Sequence, residues 1–455
     1  MEFKDREREL EFLEKEWKGE GARFLVLYGR RRIGKTELIK KFTGAKPNIY
    51  FLARREAEKE TIKRLNNKLI EVFNDKSLIS APLIDLSGFF DYLSTKTDTR
   101  FLLVIDEFPF MIERFSDLPS ILQDIWDNKL KNTQIFIIIS GSSVSMIEEN
   151  VLGYKSPLYG RRTHQWRLDG IEFKYLKYFF PKYSLEDLIK VYSAIDTIPG
   201  YLTKFDPDKP IMQNIIDQIL KKGSFLYEEV EFVLNEELRD PSNYMTILSA
   251  IASGASSFSE ISNQASLDKS LISKYLNVLE RMQIVKKSFP IAVSFKKVIR
   301  PSQTHHKIAD NFFSFWFRFV YPYKDQLEYG KIDFVTEILN REYNTYLGYI
   351  FEKICIDFFL IDKRFGFQKV GSWWHKDKEI DVIAIDEMKK RIAFVECKWK
   401  DDVNANEVLK KLKDKAEFVD WNREKRLEEF YIVAKSFQEK LPNCFDLDDL
   451  GMVFL

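Results

Sequence analysis

Three short runs of the chain are apolar on both faces. FLVLYG (24–29), FLLVID (101–106) and IFIIISG (135–141) show no alternation of polar and apolar positions. A strand with one wet face alternates, so these runs are expected in a parallel sheet covered by helices on both sides. Between them the apolar spacing lengthens to three and four residues, which predicts helices over 35–43, 57–73 and 119–130. Strand and helix in alternation predict an α/β, doubly wound sheet for residues 1–165. Residues 166–240 keep helical spacing. Residues 241–302 read as three short helices followed by a β-hairpin. Residues 303–455 open on an aromatic-rich stretch, FFSFWFRFVYPY (312–323), and return to α/β character, with strands expected near 380–385, 391–397 and 429–434.

The first apolar run ends in GRRRIGKT: Gly29, Arg30, Arg31, Arg32, Ile33, Gly34, Lys35 and Thr36. This fits G-x-x-x-x-G-K-[ST] without a mismatch, between an expected strand and an expected helix. Gly29 and Gly34 permit backbone torsions and a close approach that a side chain would block. Successive N–H groups and the helix N-terminus then face phosphates. Lys35 is expected on the β and γ phosphates of ATP, and the Thr36 hydroxyl on Mg²⁺. The second apolar run ends in Asp106 and Glu107. Asp106 is the candidate for the Mg²⁺ shell and Glu107 for polarising the attacking water. The third ends at Ser140, where a γ-phosphate sensor would sit. Arg161 and Arg162, in SPLYGRRT, are candidates for reading the nucleotide of their own chain or of a neighbour in an oligomer; a surface salt bridge is the competing reading.

With these motifs assembled, the sequence resembles the archaeal-type ATPase family of P-loop proteins, allied to the STAND and AAA+ ATPases. The resemblance rests on FKDREREL (3–10), LYGRRRIGKTELI (27–39), VIDEFP (104–109), IISGSSVSMIE (138–148), SPLYGRRT (156–163) and IPGYL (198–202), and continues through the rest of the chain. It implies a P-loop ATPase core, a helical lid, a winged helix and a C-terminal domain. It also implies that Asp5, Arg6 and Glu7 pack beside the nucleotide and that Pro199 lies against adenine. The family's usual glycine pair before Ile-Pro is replaced here by Asp196 and Thr197.

Residues 241–302 have the layout of a winged helix-turn-helix. Asp268 is placed to cap the third helix, with Leu271, Ile272, Tyr275, Leu276 and Leu279 facing inward. The opposite face keeps Lys269, Ser270, Ser273, Lys274 and Asn277, and Lys286, Lys287, Lys296, Lys297 and Arg300 follow. These residues would supply phosphate contacts to DNA. A solvated basic hairpin on a mechanical domain is an equal reading.

The C-terminal region adds a second constellation. A helix with Glu352, a strand with Asp381 and a strand ending in Glu396-Cys397-Lys398 follow one another. This is the order of a PD-(D/E)xK nuclease-like fold. Residues i and i+2 of a strand share a face, so Glu396 and Lys398 would enter one site while Cys397 turns to the core. Glu352, Asp381 and Glu396 are oxygen donors suited to Mg²⁺ or Mn²⁺. Glu396 and Lys398 are the catalytic candidates for cutting nucleic acid. An ion pair at a sheet end and a fold that no longer cuts both compete with that reading.

Composition narrows the partners. The 71 basic and 70 acidic residues leave a net charge of +1, so nucleic-acid contact must come from a local patch. The three cysteines, Cys355, Cys397 and Cys444, are far apart and suggest neither a disulfide framework nor a zinc cluster. No apolar run reaches the ~18 residues of a membrane span. The charged N-terminus carries no signal-peptide core, and a cytoplasmic protein with no membrane partner is expected.

Overall fold

The computed structural model describes residues 5–291 and 304–455. The chain divides into two compact units, Met1–Ile171 with Ile198–Gly200, and Glu172–Thr197 with Tyr201–Leu455.

The first unit is built on five parallel strands: β1 (Arg23–Tyr28), β2 (Asn48–Leu52), β3 (Phe101–Asp106), β4 (Ile135–Gly141) and β5 (His164–Arg167). Their order is β2-β3-β4-β1-β5, so β4 lies between β1 and β3. Every residue of β3 and β4 is buried, as runs without a wet face require. The flanking helices include Lys35–Thr43, Glu58–Phe73 and Leu118–Asn128. All five strands run the same way, so the ends of β1, β3 and β4 share one edge, where loops carry the polar groups.

In the second unit, the helix Leu185–Ile195 is followed by the helices of the winged-helix region, Ser242–Ala252, Phe258–Ala265 and Lys269–Arg281. An antiparallel pair comes next, β6 (Val285–Ser288) with β7 (His305–Ile308). Ile272, Leu276 and Leu279 are buried as expected, but Leu271 is 40% exposed, because its position falls outside the buried stripe of that helix. Asp268 precedes the helix without a side-chain capping bond. The expected phosphate contacts Lys296, Lys297 and Arg300 lie outside the described residues.

The aromatic run forms the helix Asn311–Phe319, whose Phe312, Phe313, Phe315, Trp316, Phe317 and Phe319 are core. The long helix Ile332–Ile361 then leads into a five-stranded mixed sheet. Its strands are β8 (Lys369–His375), β9 (Lys378–Asp386), β10 (Arg391–Lys398), β11 (Leu427–Ala434) and β12 (Cys444–Phe445). The order is β12-β11-β10-β9-β8, with β8, β9 and β10 antiparallel and β10, β11 and β12 parallel. Among the described residues, no helix is long and apolar enough to cross a membrane.

Candidate functional site

The loop between β1 and the helix Lys35–Thr43 is shaped by backbone torsions few residues accept. Gly29 has φ 153° and Gly34 φ 97°, with Arg32 at φ 64° between them. A Cβ on Gly29 would stand 2.4 Å from the Leu168 carbonyl oxygen, so glycine is required there on two counts. Lys35 is buried and donates to the Gly29 and Arg30 carbonyls at 2.8 and 3.0 Å, which folds the loop around its ammonium.

Asp106, at the end of β3, is fully buried and saturated by donors. Its Oδ2 accepts the Thr36 hydroxyl at 2.9 Å and the Tyr50 hydroxyl at 2.5 Å. Its Oδ1 accepts the Ser140 hydroxyl and the Glu107 N–H. Burial first, then the bond to Asp106, pushes the Tyr50 hydroxyl well above the usual phenol range, so it stays a donor. Glu107 sits at φ 55°, and its Oε2 accepts from the Ser142 N–H at 3.1 Å and the Ser142 hydroxyl at 2.8 Å. The helix cap after β4 falls instead to Ser143, which accepts from the Met146 N–H.

Arg6 is buried and donates to the Ile33 and Asp169 carbonyls at 3.0 and 2.7 Å, tying the N-terminal segment to the loop. On the loop's other flank, Gly200 donates to the Arg32 carbonyl at 3.0 Å. A Cβ on Gly200 would meet the Arg32 Cβ at 2.5 Å, so the residue after Pro199 must be small. Arg161 pairs with Asp127 at 3.0 Å, and Arg162 donates to Gln165 at 2.8 Å. The Thr36, Asp106, Glu107 and Ser140 groups therefore converge, whereas Arg161 and Arg162 are held by partners on their own surface. Tyr50 was missed because NIYFL, with its mixed burial, does not announce a strand.

The second constellation lies at the ends of β9 and β10. Their register runs to Val395 opposite Val382, and one step further places Glu396 opposite Asp381. Asp381 Oδ2 accepts the Cys397 N–H at 2.7 Å. Glu396 is buried, and its Oε1 accepts from Lys398 at 2.7 Å. Lys415 donates to both Glu396 oxygens, at 3.0 and 2.9 Å. Burial and the Glu396 charge raise the Asp381 pKa to about 6. Burial, then Asp381, raises that of Glu352 to about 8. For Lys398 burial works against the ammonium, but the Glu396 bond and neighbouring charges outweigh it and its pKa rises. Among the described residues, no group of three or more His, Cys, Asp or Glu side chains is arranged to hold a metal ion. Lys415 gave no signal in the sequence, since it is one of several lysines in its helix.

Known proteins resemble the chain region by region. Residues 3–205 match the ATPase domain predominantly from Archaea. Residues 245–287 match the arsR family of bacterial regulatory proteins, and residues 316–412 match archaeal and bacterial proteins of unknown function. An uncharacterized protein of Methanocaldococcus jannaschii is 36% identical over 460 residues, covering 99% of this chain and 100% of that one. An uncharacterized ATP-binding protein of the same organism is 60% identical over 40 residues, 9% of this chain and 68% of that one. Among solved structures, the Walker-type ATPase of Pyrococcus abyssi matches the fold with a TM-score of 0.52 at 22% identity, covering 69% of this chain and 95% of that one. With its phosphate loop, helix-turn-helix and C-terminal α/β region in that order, the chain belongs to the archaeal-type P-loop ATPase family.

Proposed function

We propose that the protein binds ATP with Mg²⁺ and hydrolyses it, and that its nucleotide state governs how the winged helix and C-terminal domain engage DNA or a protein partner. The carrying observation is the convergence on Asp106 of the Thr36, Tyr50 and Ser140 hydroxyls beside the phosphate loop. Thr36 and Asp106 are hard oxygen donors 2.9 Å apart, a set that fits Mg²⁺, which would supply charge neutralisation on the phosphates. Lys35 exchanges its loop carbonyls for phosphate oxygens, and the loop N–H groups hold the rest of the anion. Glu107 takes a proton from the attacking water, and Ser142 sets where its carboxylate lies. Ser140 fixes the orientation of Asp106. Pro199 lies next to the Gly200 contact with the loop, which supports its reading as an adenine contact.

The winged helix presents Lys269, Ser270, Ser273, Lys274 and Asn277 to solvent, which supports DNA contact. The order of a helix with Glu352, a strand with Asp381 and a strand with Glu396 and Lys398 supports a nuclease-like reading of the C-terminal region. Its carboxylates do not fit a divalent ion as they stand, since Glu396 has both oxygens on lysines. The reading favoured here is a nucleotide-controlled switch whose nuclease-like domain binds without cutting. It is tested by incubating single- and double-stranded DNA with the wild type and with Lys398→Ala, with Mg²⁺ or Mn²⁺, with and without ATP. ATP-sensitive binding and intact DNA are expected. Cleavage by the wild type that Lys398→Ala abolishes would establish the nuclease reading instead.

A further inference from the structure

We propose that Lys415 supplies the cation of the C-terminal acid cluster, so that Glu396 is neutralised from within the chain and not by a divalent metal ion. The inference rests on the non-cutting reading of that domain and is independent of ATP hydrolysis. Glu396 is only 7% exposed, and a buried carboxylate must be paired or must coordinate a metal. Lys415 spans both of its oxygens, and Lys398 takes a second bond on Oε1. Both oxygens of Glu396 are thus engaged by ammonium groups. Asp381 spends an oxygen on the Cys397 N–H, which anchors it to the strand end.

The position of Lys415 is fixed by packing. It belongs to the helix Ala405–Ala416, whose Leu412 and Ala416 are buried in the cluster formed with Ile383, Ile385, Ile392 and Phe394 of the sheet. The other lysines of that helix differ: Lys411 is exposed and pairs with Glu407 of its own helix, and Lys410 and Lys413 are exposed. A helix docked by those apolar residues holds one lysine over the sheet end, where Glu396 meets it. A divalent ion approaching Glu396 would have to displace that ammonium and would face the charge of Lys398 beside it.

The test is Mn²⁺ binding by the full chain, stripped with chelator and free of nucleotide, read from the electron paramagnetic resonance of unbound Mn²⁺. Wild type, Lys415→Met, Lys415→Arg, Glu396→Gln and the Lys415→Met, Glu396→Gln double variant are compared, so any ion taken by the phosphate loop is common to all. The expected result is one additional Mn²⁺ per chain in Lys415→Met, bound at least tenfold more tightly than in the wild type. That ion should be absent from Lys415→Arg and lost in the double variant. Should Lys415→Met not fold, equal Mn²⁺ counts in the wild type and Glu396→Gln support the proposal. A Mn²⁺ ion in the wild type that Glu396→Gln removes would overturn it, and so would a folded Lys415→Met that gains none.

Discussion

Asp106 accepts from Thr36, Tyr50, Ser140 and its neighbour's N–H, which leaves its carboxylate a single orientation. Tyr50→Phe removes one of those donors without changing shape. It is expected to cost about 1 kcal/mol of stability and to raise the Mg²⁺ concentration needed for half-maximal ATP turnover; thermal unfolding and a Mg²⁺ titration check the two effects. In the proposed mechanism Glu107 transfers a proton and does not hold the nucleotide. Glu107→Gln should therefore lower kcat by about 10²- to 10⁴-fold while the Kd for ATP stays within a few-fold, as fluorescent-nucleotide titration would show. The motif residues were legible because each needs a particular chemistry at a particular spacing. Tyr50 and Lys415 were not, because a tyrosine in a short strand and a lysine in a basic helix carry meaning only once folding brings them to a carboxylate.

At the scale of elements, two tight backbone approaches hold the phosphate loop in shape. Gly200→Ala would drive a Cβ into Arg32, and its expected effect is weaker ATP binding with little change in the fold, measurable by isothermal titration and circular dichroism. The β6–β7 pair offers a test by pH. His306 lies opposite Lys287 in that pair and is only 4% exposed, and burial lowers its pKa below the usual value. The unfolded chain therefore takes up a proton near pH 6.5 before the folded one does. The His306 contribution to stability is level above that pH and is lost as the pH drops through it, opposite in sign to that of the buried Glu352 and Asp381 carboxyls, so the wild-type Tm should fall relative to that of His306→Phe between pH 7 and about 5. A Tm difference between wild type and His306→Phe that stays constant from pH 7 to about 5 would contradict the burial argument. The three helices here were readable from their apolar stripes. Leu271 was misplaced because a Leu-Ile pair leaves the edge of a stripe ambiguous by one residue.

Across the whole molecule, the longest apolar runs predicted best. Fully apolar runs became the buried strands β1, β3 and β4, whereas β2, β5, β8 and β12 were not anticipated, since short strands with mixed burial look like loops. The strand with Asp381 and the strand ending in Glu396-Cys397-Lys398 were readable, but the capture of Glu396 by Lys415, seventeen residues beyond Lys398, was not, because no local rule links them. The chain also passes between its two units around residues 198–200, where Ile198, Pro199 and Gly200 belong with the ATPase core while Thr197 and Tyr201 do not. The proposed activity is ATP hydrolysis by this core at the loop built by Gly29 to Thr36. The most direct measurement is phosphate release from Mg²⁺–ATP by the wild type and by Lys35→Ala. Steady turnover is expected of the wild type, and a loss of at least about 10²-fold in the variant, which lacks the ammonium proposed to meet the phosphates. Equal turnover by the two proteins would contradict it.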